Sequence, residues 1–140
     1  MDAAYVASAT SKGGRTGHVR SESGFVDTEV ALQTEFGGPG GATNPEELLA
    51  AGWAACFMSA LGLLCAKREI DTSEATVTAN VGVDLGKGGY DLIAEMVVRL
   101  PGVEREMAEK LVARTHQICP FSRGLTGVPV EITIAEPVAA

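Results

Sequence analysis

TNPEELLAAGWAACFMSALGLLCAKRE, Thr43 to Glu69, is the stretch that decides the fold. It opens on a helix start signal. Asn44 can cap, Pro45 suits a first helical position that needs no N–H, and Glu47 falls three residues after Asn44, as a capping box requires. From Leu48 to Ala66 nothing is charged, and the apolar side chains occupy every side of a helical wheel. Such a helix is enclosed by protein or by lipid. Its length permits a membrane span, which takes about 20 residues. The run is rich in Ala and Gly, however, carries Ser59 and two cysteines, and is flanked by alternating strand patterns. These features predict a buried central helix in a soluble protein with no membrane partner.

The 140 residues, 46% hydrophobic and 21% charged, fit one domain spanning residues 1–140. Covering a helix of some twenty residues on all sides asks more than so small a domain supplies, so a partner subunit is expected to complete the cover. The formal net charge is −7, and the basic residues form no cluster beyond short pairs such as Lys67-Arg68. Phosphate binding needs a basic footprint, so nucleic acid is not an expected partner. The first residues, MDAAYVASATSKGG, have neither a basic start nor an apolar core, which predicts no secretory signal and a cytoplasmic protein. Three cysteines make an odd count with no secreted framework, which points to reduced thiols and redox chemistry.

Working outward from the helix, residues Ala4 to Thr10 predict a short strand, and Ser11-Lys12-Gly13-Gly14 a turn with room for close backbone approach. Gly17 to Glu22 and Phe25 to Leu32 read as two further strands of a meander. Glu35 to Thr43, EFGGPGGAT, is a glycine-rich loop without the lysine of a phosphate cradle, and reads as a connection. Beyond the helix, Ala75, Val77, Ala79, Val81, Val83 and Leu85 alternate with polar residues. Gly86-Lys87-Gly88-Gly89 makes a hairpin turn, and Tyr90 to Leu100 repeats the alternation. Glu104 to Ile118 then switches to helical spacing, with Val103, Met107, Leu111 and Ile118 on one side. Cys119-Pro120 breaks that helix, and Val128 to Ile134 forms a last strand. No internal repeat is present, and the order of elements predicts a single α+β domain.

Taken alone, a cysteine in an apolar helix reads as packing, because free Cys behaves as a small hydrophobe. By the same standard Arg15 is a solvated loop charge and Glu46 a first-turn acid favoured by the helix dipole. His18 and Trp53 read as packing residues, and His116 as a cation at a helix end. Cys65 is nine residues from Cys56, about half a revolution away and roughly 13 Å along a straight helix, too far for a disulfide. His116 and Cys119 form H-x-x-C, but no C-x-x-C pair accompanies them, so no metal is expected.

The spacing of three stretches says more: Gly13-Gly14-Arg15-x-Gly17, TNPEELLAAGWAACF from Thr43 to Phe57, and CPFS from Cys119 to Ser122. In this order and at these separations the chain resembles the organic hydroperoxide resistance (Ohr) branch of the OsmC/Ohr thiol peroxidases, over nearly its whole length. The resemblance implies the OsmC-like fold, with antiparallel sheets around a long buried central helix and an intertwined homodimer. It implies Cys56 as the cysteine that meets peroxide, Cys119 as the resolving cysteine, and Arg15 and Glu46 as the pair that activates Cys56. It also implies an apolar pocket for bulky organic hydroperoxides, re-reduction by a lipoylated protein or another dithiol, and no cofactor. Trp53, Phe57, Met58 and Phe121 are the expected lining of that pocket. Two departures stand out, Cys65 outside the motif and Trp53 where the family often has a smaller aromatic. Both bear on substrate shape more than on reaction type.

Elementary chemistry fits those roles. A thiol reacts with peroxide as thiolate, which a guanidinium favours, and a carboxylate paired with both arms of an arginine fixes its fork. One geometric difficulty arises. Glu46 and Cys56 are ten residues apart, which on a straight helix means about 15 Å along the axis and about 80° around it. Either the helix breaks, with Gly52 the expected place, or the Glu46 beside a given Cys56 belongs to the partner chain. Competing functional readings are an osmotically inducible peroxidase of the OsmC type and a non-catalytic carrier of an apolar ligand.

Overall fold

The computed structural model describes residues 1–86 and 88–136. Lys87, in the expected hairpin turn, lies outside them. The α+β expectation is met. The chain divides into two compact units, Met1–Leu48 and the remainder from Leu49 onward.

The first unit is a three-stranded antiparallel meander, β1 (Ala9–Lys12), β2 (Gly17–Ser21) and β3 (Asp27–Val30), with β2 central. Two strands are shorter than their sequence pattern suggests. Tyr5 and Val6 precede β1 and are exposed. The Ser21 N–H donates to the Val26 carbonyl (2.8 Å) and the Val26 N–H to Ser21 Oγ (3.1 Å). Those bonds close a turn that consumes Phe25 and Val26, so the apolar pattern there belongs to a turn and not to β3.

The central helix α1 spans Pro45–Ala66 without interruption. Its start is the predicted one: Asn44 Oδ1 accepts from the Glu47 N–H at 2.8 Å, while the Glu47 carboxylate takes the Thr43 hydroxyl at 2.9 Å. Asn44→Ala should lower stability by about 1 kcal/mol, the usual worth of such a cap. Denaturant unfolding would read this as a lower midpoint at unchanged slope. α1 buries Trp53, Phe57, Ala60, Leu61, Leu64 and Cys65. The expectation of a helix buried on every side holds for that face only. Ala51, Ala55, Ser59 and Leu63, each four residues after the last, form an exposed stripe, and Leu63 is 67% exposed.

In the second unit β4 (Thr76–Gly86) and β5 (Gly89–Arg99) form a long antiparallel hairpin, and β6 (Val130–Ile134) pairs with β5. β6 runs parallel to β5, with Ala94 beside Val130 and Val98 beside Ile134, so this sheet is mixed and departs from the purely antiparallel expectation. A parallel pair needs a crossover. It is supplied by α2 (Arg105–Ile118) and α3 (Pro120–Gly124). Met96 and Val98 of β5 pack in one core cluster with Leu111 and Val112 of α2 and with Trp53, Phe57 and Leu61 of α1. The buried face of α2 is Ala108, Leu111, Val112 and Thr115, a strict i, i+3, i+4, i+7 stripe. Met107, assigned to that face by the sequence, is 38% exposed.

Candidate active site

Arg15 owes its place to the glycines around it. Gly13 (φ 82°) and Gly14 (φ 55°) adopt left-handed backbone that side chains avoid, and a Cβ on Gly17 would lie 1.8 Å from the Lys12 carbonyl oxygen. The chain can therefore reverse within the short 3-10 turn Gly14–Thr16 and present the guanidinium. Arg15 Nη1 and Nη2 donate to the two carboxylate oxygens of Glu46, at 2.9 Å and 2.5 Å. Gln33 completes the cluster: its Oε1 accepts from Arg15 Nη1 at 3.2 Å, and its Nε2 donates to Glu46 Oε2 at 2.9 Å. The glycine-rich loop steadies Gln33, because the Gly38 N–H donates to the Gln33 carbonyl (2.9 Å) and the Gly40 N–H to that of Leu32 (3.0 Å). A glutamine has no charge and no periodicity to betray it, and sequence reasoning missed this one. Its position at the edge of the EFGGPGGAT loop is the only signal.

The hydrogen bonds from Arg15 hold the Glu46 carboxyl below the usual carboxylate range, against the opposing effect of burial. The same bonds raise Arg15. Glu46 therefore stays ionised into acid solution, and the pair is lost only as pH falls through that lowered value. Glu47, not Glu46, meets Asn44 and Thr43, which leaves the Glu46 carboxylate free for the arginine.

In the second unit the thiols of Cys56 and Cys119 are 3.6 Å apart, sulfur to sulfur, and both are free. Cys56 lies on α1, and Cys119 on the single extended residue between α2 and α3. The Cys119 N–H still donates to the Thr115 carbonyl at 2.8 Å, but Pro120 ends α2 and at once serves as the first residue of α3. Sequence reasoning saw the break and missed the five-residue helix that follows it, since Pro signals both. Burial raises the Cys56 thiol above its ordinary value, the backbone N–H of Phe121 opposes that rise, and Cys119 adds to it.

Residues 38–134 match the family model described as OsmC-like protein. The chain belongs to the OsmC-like family. Its relatives in that family include the organic hydroperoxide resistance protein of Xanthomonas axonopodis pv. citri, 36% identical over 134 residues that cover 94% of each chain. Organic hydroperoxide resistance protein OhrA of Bacillus subtilis is 39% identical, over 94% of this chain and 96% of the relative. Among solved structures, an organic hydroperoxide resistance protein from Elizabethkingia anophelis superposes with a TM-score of 0.89 at 41% identity, covering 98% of this chain and all of that one. One from Legionella pneumophila gives 0.89 at 36% identity, over 96% and 99%.

The remaining candidates of this OsmC-like chain fall into place around the thiols or away from them. Trp53 and Phe57 have no exposed surface, Met58 is partly buried, and Phe121 is 38% exposed. α1 does not break at Gly52. A Cβ there would lie 3.2 Å from the Phe121 ring, so the glycine admits that ring against an intact helix. Cys65 is fully buried, and burial raises its thiol. His18 corrects the packing assignment: its Nε2 meets Asp27 at 2.5 Å and its Nδ1 meets Glu29 at 2.9 Å, on the half-buried strand β2 where Glu29 is its cross-strand neighbour. His116 lies in the last turn of α2, as expected, with its Nδ1 buried and unpartnered. Among the described residues no three of His, Cys, Asp and Glu are grouped to hold a metal ion.

Proposed function

We propose that the chain is a cytoplasmic, homodimeric cysteine peroxidase that reduces organic hydroperoxides to alcohols. The observation that carries the proposal is the approach of Cys56 and Cys119 to 3.6 Å while both are free. The Cys56 thiolate attacks the outer oxygen of ROOH, the O–O bond breaks, and the alkoxide takes a proton and leaves as ROH. Cys56 is then a sulfenic acid. The Cys119 sulfur displaces its hydroxyl as water, giving the Cys56–Cys119 disulfide before a second peroxide can over-oxidise Cys56. A dithiol such as dihydrolipoamide, free or carried on a protein, exchanges with that disulfide and restores both thiols.

Arg15, held by Glu46 and Gln33, supplies the cation that the half-buried Cys56 thiol needs in order to ionise, and its donors stabilise charge on the departing oxygen. Phe121 and Met58 offer apolar surface to a bulky R group, with Trp53 and Phe57 as backing, which favours organic over hydrogen peroxide. The exposed stripe Ala51, Ala55, Ser59 and Leu63 suits close packing against a second copy of the chain.

The test is a thiol count paired with peroxide consumption, using cumene, lipid and hydrogen peroxides with dihydrolipoamide or thioredoxin as reductant. One equivalent of organic hydroperoxide should consume two thiols and leave one intramolecular disulfide. An apolar-ligand carrier would keep both thiols, and that outcome would refute the peroxidase reading.

A further inference from the structure

Three residues before Cys56, Trp53 donates its indole N–H to the hydroxyl of Ser122, three residues after Cys119, at 3.0 Å. Both partners are buried, Trp53 at 0% and Ser122 at 4% exposure. The bond joins α1 to α3 and brackets the thiol pair one helical turn to either side. We infer that Trp53 and Ser122 form a latch that positions Cys119 for attack on oxidised Cys56. This rests on the peroxidase reading above and adds two positioning residues to it.

The segment that carries Cys119 needs such an anchor. Cys119 is the lone extended residue between two helices, tied to α2 through the Thr115 carbonyl and to α3 through the Arg123 N–H, which donates to the Cys119 carbonyl at 2.9 Å. Those bonds fix Cys119 to its own neighbours along the chain. They do not fix it to α1, where Cys56 sits. The contacts that do include the Phe121 ring over Gly52, the backbone N–H of Phe121 at the Cys56 sulfur and the Trp53–Ser122 hydrogen bond, and of these the Trp53–Ser122 bond alone joins two side chains and can be cut without touching either thiol. In the resolving step the Cys56 S–O bond breaks, the Cys56–Cys119 S–S bond forms, and the hydroxide leaves with the Cys119 proton as water. The sulfurs must close from 3.6 Å to a bond of about 2.05 Å. Reactions between held groups are sensitive to such placement, about a hundredfold for a slip of 1 Å. A buried indole N–H deprived of its acceptor is strained toward any arrangement that meets water. Loss of the Ser122 hydroxyl therefore lets α3, and with it Cys119, drift from α1.

The test separates the two steps of a single turnover with cumene hydroperoxide, quenched by alkylation and read by mass spectrometry. Ser122→Ala should oxidise Cys56 at a rate within about twofold of wild type, since that step does not use Cys119. Disulfide formation should slow at least tenfold, with sulfinic acid accumulating on Cys56. Trp53→Phe, which keeps a ring and removes the N–H, should show the same shift from disulfide toward sulfinic acid. The double variant should resolve no more slowly than the slower single one, because either change alone opens the latch. Circular dichroism establishes the fold of each variant, and Trp53→Phe decides the matter if Ser122→Ala does not fold. An independent reading is the equilibrium of the Cys56–Cys119 pair with glutathione. Disulfide formation there should weaken at least tenfold in both single variants, about 30 mV. Wild-type resolution and equilibrium in both variants, or slowing that multiplies in the double variant, would overturn the latch. If wild type fails to react with the hydroperoxide, the peroxidase reading falls, and the glutathione equilibrium alone then decides the latch.

Discussion

Cys56→Ser is expected to lose all reaction with organic hydroperoxide, and Cys119→Ser to consume about one equivalent and then stall or over-oxidise. The asymmetry follows from the chemistry assigned to the two sulfurs. Oxygen transfer needs one nucleophile, and a serine hydroxyl at neutral pH is not a substitute for a thiolate. Without Cys56 there is no first turnover. Without Cys119 the first turnover proceeds, but the sulfenic acid meets no thiol and goes on to sulfinic acid when more peroxide is supplied. The burial of Cys119, at 0% exposure, makes it a poor first target and suits it to the second step. The measurement is peroxide consumed per subunit, together with the mass of the peptide bearing residue 56. Equal and complete loss of the first turnover in both variants would reject the division of roles. Cys65→Ser should change neither quantity, because that thiol packs fully buried in the core.

How far the sequence discloses this arrangement depends on the kind of signal each part leaves. The central helix and the β4–β5 hairpin are announced by caps, periodicity and turn residues, and both occur within a residue or two of where those signals put them. Strand orientation leaves no such mark. Nothing in the alternation of Val130 to Ile134 says that β6 lies parallel to β5. Burial is legible on one face of α1 and not the other, since an apolar residue reads the same whether its own chain or another molecule covers it. Arg15, Glu46 and the two cysteines are carried by motif spacing and not by their intrinsic chemistry, which alone favours packing or solvation. Gln33 and the partnership of Ser122 with Trp53 escape, because neutral polar side chains show their worth only through the partners that folding brings to them.

Loss of Arg15 should slow the first turnover by about tenfold or more, and shift its pH profile to higher pH. Burial holds the Cys56 thiol above its ordinary value, and below that value the thiolate fraction falls tenfold per unit. A guanidinium is the group proposed to reverse this, so removing it moves the rising limb of the rate to alkaline pH while leaving the alkaline plateau more nearly intact. Arg15→Lys keeps the charge but not the planar fork that grips both oxygens of Glu46, and should fall between wild type and Arg15→Ala. The source of the cation is a separate question, and the helix narrows it. α1 runs unbroken through Gly52, so the ten residues between Glu46 and Cys56 set them about 15 Å apart along one axis. That removes a break at Gly52 as a way to join them, and the arrangement to test is one in which the second subunit of the proposed dimer supplies the pair. Mixing inactive Cys56→Ser chains with inactive Glu46→Ala chains should then restore activity. Each heterodimer would regain one intact site, formed by Cys56 of the Glu46→Ala chain and the Arg15–Glu46 pair of the Cys56→Ser chain. Confirmed heterodimers that stay inactive would show instead that each chain supplies its own pair, and the shared site would be rejected.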